Sequence, residues 1–190
     1  MILTRNRGLS YDFVLNRLDF AREKIFVDAS SSWGIGGCHG NRYFQFPNTV
    51  LRRFSKLFAE CTHKNHLKIS FGALPIANLE LFSAMVGVIC FIPRCRSQIV
   101  GLNCDNMNVV ACLQKSRYAA GVGFRILLAV EFYKHKCETK IQPRSISGVA
   151  NTSADSLSWG RIPKWLDRFG EKCSKGLDKV ANLLVNPLPA

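Results

Sequence analysis

The sequence predicts an α/β domain, and three observations carry that expectation. Ile25-Phe26-Val27 is a run of three apolar residues, two of them β-branched, that stops at Asp28 and the small residues Ala29 and Ser30, as a short strand buried on both faces does. The pattern returns at Gln98-Ile99-Val100-Gly101-Leu102-Asn103-Cys104, which stops at Asp105. Around these runs lie apolar stretches of helical length, so strands and helices alternate along the chain.

Composition bounds the function. A chain of 190 residues, 47% hydrophobic and 21% charged, suits one domain with a full core plus extensions and is neither disordered nor fibrous in type. Its 26 lysines and arginines against 13 acids leave +13, a surplus that suits a polyanionic partner, nucleic acid above all; a basic solubilising surface is the alternative. Eight cysteines are scattered without a Cys-x-x-Cys pair, and Cys90, Cys104 and Cys112 sit in apolar runs, which fits reduced thiols in a cytoplasmic or nuclear protein. The first 24 residues carry Arg5, Arg7, Asp12, Arg17 and Asp19 and so lack the apolar core of a signal peptide. The uncharged run 81–92 falls short of the roughly 20 apolar residues that span a bilayer, and no membrane partner is expected.

The elements follow in order. Residues 1–24 form a lead-in in which Leu15, Leu18 and Phe20 hint at a short helix. After the strand ending at Asp28, Trp33-Gly34-Ile35-Gly36-Gly37-Cys38-His39 and Arg42-Tyr43-Phe44-Gln45-Phe46 flank Gly40-Asn41, a tight-hairpin signal, so the first three strands form an antiparallel meander. An insertion, 47–73, contains Leu51, Phe54, Leu57, Phe58 and Cys61 at helical spacing among basic residues. Its run from Cys61 to His66 lacks the second Cys pair of a zinc module, and packing is the expected role of the helix. Pro75 opens an apolar helix over 76–92, closed by Pro93, whose one acid is Glu80. The strand ending at Asp105 leads into a helix from Asn106 to Arg117; Gly121 and Gly123 then break the chain before a helix over 124–136 with Leu127, Leu128 and Phe132 as core positions. Lys140 to Ile146 reads as a last strand that Pro143 confines to an edge or a bulge. Asn151 or Ser153 caps a short helix with Asp155 in its opening turn, and Leu177, Val180, Ala181 and Leu184 suggest a closing helix within a C-terminal helical extension, 160–190.

Each acid has a plain structural reading: Asp28 as a turn cap, Glu80 and Asp155 as partners of a helix dipole. Together they suggest more. Adjacent strand ends bring Asp28 and Asp105 together, and helices packed across that edge deliver Glu80 and Asp155. Four carboxylates in one place repel one another unless divalent ions hold them, which is the requirement of a two-metal phosphodiester site with ions roughly 3.5–4 Å apart.

On these pieces the chain resembles the ribonuclease H domain of retrotransposon reverse transcriptase polyproteins, most closely the DIRS-type group. The matching residues are Val27-Asp28-Ala29-Ser30, Trp33-Gly34 with the Gly-rich hairpin, Ile76-Ala77-Asn78-Leu79-Glu80-Leu81, Cys104-Asp105-Asn106 with Val109-Val110, and Asn151-Thr152-Ser153-Ala154-Asp155-Ser156-Leu157-Ser158, spread over a domain at 25–159. The resemblance implies a ribonuclease H-like fold, a five-stranded mixed sheet flanked by helices, and an endonuclease that cleaves the RNA strand of RNA–DNA hybrids. It implies Asp28, Glu80, Asp105 and Asp155 as catalytic acids holding two Mg²⁺, with Mn²⁺ as a substitute, and a separate reverse transcriptase domain as a further partner. Asn106 is implied as a contact to 2′-hydroxyls, and Lys115, Arg117 and Arg125 are phosphate-contact candidates by charge and position. The chain departs from the family at Ser145-Ile146-Ser147-Gly148, where His-Ile-Pro-Gly is common, and at Trp159, where Arg is common. It contains no Tyr-x-Asp-Asp run of a polymerase. The alternative from another class is a catalytically inactive binding or scaffold domain that keeps this fold; a third, an integrase-like nuclease, would show another acid spacing.

Overall fold

A computed structural model describes residues 21, 23–54, 76–117, 122–174 and 176–185. The lead-in helix, the zinc-like run Cys61–His66, Leu57 and Phe58 of the insertion, and the chain end from Asn186 lie outside the described residues.

The apolar run at Ile25 forms β1 (Glu23–Ser30), which starts two residues before the hydrophobic pattern and does not stop at Asp28, because Asp28, Ala29 and Ser30 stay paired with β2. It pairs antiparallel with β2 (Gly34–His39), which pairs antiparallel with β3 (Arg42–Pro47) across the expected Gly40-Asn41 turn, where Gly40 adopts φ 55°. On the other side, β1 pairs parallel with β4 (Ile99–Cys104), and β4 parallel with β5 (Lys140–Ser145). Pro143 sits on that outer strand, at an edge as its missing N–H demands.

The sheet has six strands, in the order β5-β4-β1-β2-β3-β6, rather than five. The added strand is β6 (Glu171–Lys172), two residues from the C-terminal extension that pair parallel with β3. Neither residue is apolar, so periodicity gives no sign of it.

Seven helices cover this sheet among the described residues. After β3 the chain forms α1 (Asn48–Leu51), which tightens into a 3-10 turn at Arg52–Phe54 with Leu51 and Phe54 buried. The apolar helix is α2 (Ile76–Phe91), extended by a 3-10 turn through Arg94. At 19 residues this stretch is long and apolar enough to cross a membrane, unlike the shorter run the sequence marks, but 72% of its most apolar window is buried inside the protein. A helix hydrophobic on every side needs partners on every side, and α2 finds them in β1, β2, α4 (Val122–Lys136) and α7 (Gly176–Val185). Gly87 permits a close approach to β1: a Cβ there would stand 2.8 Å from Val27 Cγ1. Ile25, Val27, Ile35, Phe44, Leu79, Phe82, Ile89, Val100, Leu102, Leu177 and Val180 belong to this one core.

Helix α4 begins at Val122, so Gly123 lies inside it instead of breaking the chain before it. Leu127 is buried and Phe132 partly so, but Leu128, expected in the core, is 41% exposed because it falls on the outer side of α4. The opposite face of the sheet carries α5 (Thr152–Ser158) and α6 (Lys164–Phe169), with Leu157 and Leu166 packed against Cys38 and Tyr43. Helix α3 (Met107–Lys115) follows β4 directly. The seven described cysteines are all free.

Candidate active site

Strand register brings the first two acids together. Phe26 of β1 lies beside Asn103 of β4 in a parallel ladder, so Asp28 and Asp105, each two residues further on, stand level at neighbouring strand ends. Asp28 is buried, whereas Asp105 is exposed just past the end of its strand. Their charges oppose each other, and Asp105 raises the pKa of Asp28.

Glu80 arrives from α2. Ser83, one turn further along that helix, donates its hydroxyl to the backbone carbonyls of Asp28 at 2.8 Å and Gly36 at 3.2 Å, which pins α2 over the end of β1. Glu80 is therefore buried beside the end of β4, where the Cys104 thiol donates to its Oε2 at 3.8 Å. The donor atoms of Glu80, Cys104 and Asp105 all lie within 4.8 Å of one another.

Asp155 arrives from the opposite face, and three hydrogen bonds fix the helix that carries it. Asn151 Nδ2 donates to the Val27 carbonyl at 3.0 Å, Gln45 Nε2 to the Leu157 carbonyl at 3.2 Å, and Ser158 Oγ to Asp28 Oδ2 at 2.5 Å. Asn151 occupies the position before α5, yet its side chain makes no capping hydrogen bond; it is spent on docking the helix to β1. Gly36 makes room, since a Cβ on it would stand 2.6 Å from the Leu157 carbonyl carbon and the Ser158 nitrogen. Asp155 is exposed, and its charge also opposes that of Asp28.

Burial, with repulsion from Asp105 and Asp155, pushes Asp28 up to about 6 against the pull of the Ser158 hydrogen bond and the Ala29 N–H. Burial, with repulsion from Asp105 and Asp28, pushes Glu80 up to about 7 despite hydrogen bonds from Asn106 and Cys104. Two buried carboxylates held this high beside two exposed ones form a site that a divalent cation would relieve on its open side. A second cluster with metal-donor geometry, Glu23, His39 and Cys95, lies elsewhere in the fold.

The expected substrate contacts are placed less tightly. Asn106 caps α3, its Oδ1 accepting from the Asn108 N–H at 2.9 Å and the Val109 N–H at 3.4 Å, and its side chain also bonds Glu80. Lys115 and Arg117 are exposed at the far end of α3, about 12 Å from its start at the usual helical rise, and Arg125 is exposed on α4. None of these three is drawn into the acid cluster. Ser145, where the resemblance expects His, ends β5 opposite Cys104, exposed and next to the acids.

Sequence reasoning misses the roles of Ser158 and Ser83 and gives Asn151 a helix cap instead of its bond to β1, because these uncharged side chains show their roles only through contacts across the fold. Cys104 is the buried core thiol that its apolar run predicts, and it also meets Glu80.

Comparison with protein-family models, with curated proteins and with solved structures finds no match. The functional reading therefore rests on the geometry above and on the motifs of the sequence.

Proposed function

We propose that this chain is a metal-dependent endonuclease of the ribonuclease H-like type, derived from a retroelement, that cleaves the RNA strand of RNA–DNA hybrids. The observation that carries the reading is that two neighbouring strands and two helices on opposite faces of the sheet bring Asp28, Glu80, Asp105 and Asp155 to one end of it, where Asp105 repels both Asp28 and Glu80 and Asp155 repels Asp28. A fold has no structural use for that arrangement, whereas a cation site does.

Asp28, Glu80, Asp105 and Asp155 would hold two Mg²⁺, or Mn²⁺. Bound there, the ions would supply an activated water and counter-charge for the leaving oxygen. The protein's own residues orient the acids: Ser158 turns the Asp28 carboxylate, and Asn106 and Cys104 hold Glu80. The +13 surplus supplies affinity for the hybrid backbone, with Lys115, Arg117 and Arg125 as phosphate contacts away from the cleavage point. Recognition of a 2′-hydroxyl by Asn106 would use the second N–H of its amide nitrogen, since its oxygen caps α3 and the nitrogen also donates to Glu80.

The test is cleavage of an end-labelled RNA–DNA hybrid by the purified chain with Mg²⁺, with Mn²⁺ and with EDTA, beside single-stranded RNA and duplex DNA. Metal-dependent cutting confined to the RNA strand of the hybrid is the expected result. D28N and D155N should each abolish cutting and leave hybrid binding nearly unchanged, and cutting that survives D28N overturns the assignment.

One observation favours a second reading, a binding domain without catalysis. Ser145 stands beside the acids where the resemblance expects His, so a group that positions substrate or water is replaced by a short hydroxyl. Hybrid binding without cleavage in either metal would select that reading.

A further inference from the structure

Glu23 at the start of β1, His39 at the end of β2 and Cys95 after the 3-10 turn of α2 meet at the other end of the sheet from the four acids, about 17 Å away along β1. His39 Nε2 lies 2.7 Å from Glu23 Oε2 and 3.8 Å from Cys95 Sγ, and all three donor atoms lie within 4.8 Å of one another. We propose that Glu23, His39 and Cys95 bind a zinc-class transition-metal ion, with solvent completing the coordination, and that the ion ties the open end of the β1–β2 ladder to the α2–β4 connection.

The donor chemistry selects the ion. An imidazole, a thiolate and a carboxylate suit Zn²⁺ or Co²⁺, whereas Mg²⁺ and Ca²⁺ take oxygen donors and disfavour sulfur. Thiolate and carboxylate together cancel the charge of a divalent ion. Tetrahedral zinc with bonds of about 2.0–2.3 Å needs its donors roughly 3.3–3.7 Å apart. The sulfur–nitrogen distance is already close to that value. The shorter oxygen–nitrogen distance, 2.7 Å, is a hydrogen bond whose proton the ion replaces, so Glu23 need draw back by only about 0.6 Å.

The surroundings hold two donors still and leave the third free to adjust. Cys95 is 2% exposed, its thiol donates to the Phe91 carbonyl at 3.6 Å, and its own carbonyl accepts from Thr139 Oγ1 at 3.0 Å. His39 packs its ring 5.7 Å from that of Phe91, with only 14% of the side chain exposed. The Glu23 side chain is 41% exposed, which gives an ion and its solvent ligand a way in. Arg42, the nearby cation over the Phe91 ring, is paired with Glu171 at 3.4 Å, which offsets its repulsion of a second cation. The three donors lie in separate parts of the chain at spacings of 16 and 56 residues, so no sequence pattern announces them.

The experiment titrates the chelator-stripped 190-residue chain with Co²⁺ alone and follows the thiolate-to-cobalt charge-transfer band, then displaces it with Zn²⁺. One equivalent should give the band, and Zn²⁺ should abolish it and raise the Tm. C95S should lose the band, while C104S, which removes the thiol beside Glu80 and Asp105, should keep it. E23Q, a change at an exposed side chain that leaves the core intact, should weaken Co²⁺ binding at least about tenfold while keeping the circular dichroism of the parent. Absence of the band in the parent, its survival in C95S, or its loss in C104S but not in C95S would each overturn the proposal. Hybrid cleavage is not read, so failure here is separate from failure of the nuclease reading.

Discussion

Ser158 Oγ donates a 2.5 Å hydrogen bond to Asp28 Oδ2 across 130 residues of chain, and the same hydroxyl lies 2.8 Å from the Asp155 carbonyl. One uncharged side chain thus joins the acid at the centre of the sheet to the helix that carries another acid. It is also the side-chain hydrogen bond that opposes the rise in the pKa of Asp28.

S158A is therefore expected to act on the chemistry more than on the fold. A hydrogen bond to a charged group contributes about 1.5–3 kcal/mol, so its loss should shift Asp28 upward by about one unit or more. The acid limb of the pH–rate profile should move to higher pH by a similar amount, and the Mg²⁺ needed for half-maximal cleavage should rise about tenfold. Profiles taken at several Mg²⁺ concentrations check both.

The metal-free protein should lose stability as pH rises. Asp28 at about 6 and Glu80 at about 7 stand above their ordinary values of 3.8 and 4.5, so between these limits the folded chain holds more protons than the unfolded one. Their contribution is fully present below the ordinary carboxylate range and is lost as pH climbs through about 6 and 7. In EDTA, Tm should fall from pH 5 to pH 7.5, and Mg²⁺ should restore more of it at pH 7.5 than at pH 5. D28N should flatten that fall and raise the metal-free Tm at pH 7.5 while removing activity. Scanning calorimetry across the range is the measurement.

Gly36 should not tolerate a side chain. The nearest atoms to an added Cβ include backbone of Leu157 and Ser158, which cannot swing aside as a flexible side chain can. G36A should cost about 1–3 kcal/mol in denaturant unfolding and displace α5, so cleavage should fall with it. G148A is the control: its Cβ would meet only Asp105 Oδ2, at 3.9 Å, and stability should stay within about 0.5 kcal/mol of the parent.

S145H restores the residue that the family resemblance expects, at an exposed strand end with room for a ring. Cleavage should rise about tenfold or more with hybrid Kd unchanged, as expected for a group that orients substrate or water. Single-turnover kinetics separate the two. An unchanged rate would show that Ser145 does not limit turnover.

The amino-acid sequence by itself determined the strands, because runs such as Ile25-Phe26-Val27 and Ile99-Val100-Gly101-Leu102 are too apolar to stay in water; β4 ends just before Asp105 as its pattern predicts, whereas β1 runs on through the buried Asp28 to Ser30. It marked the Gly40-Asn41 hairpin through a glycine that takes φ 55°, put Pro143 on an edge through its missing N–H, and named the four acids by their places at strand ends and helix starts. Only tertiary structure decided which uncharged side chains serve those acids, because Ser83, Asn151 and Ser158 act on atoms 55, 124 and 130 residues away. It also decided that Leu128 faces outward, that Glu171–Lys172 joins the sheet, and that Asn106 gives its oxygen to a helix cap. Local pattern reports what a residue must avoid, water or burial; which partner it finds depends on packing between elements that are distant in the chain.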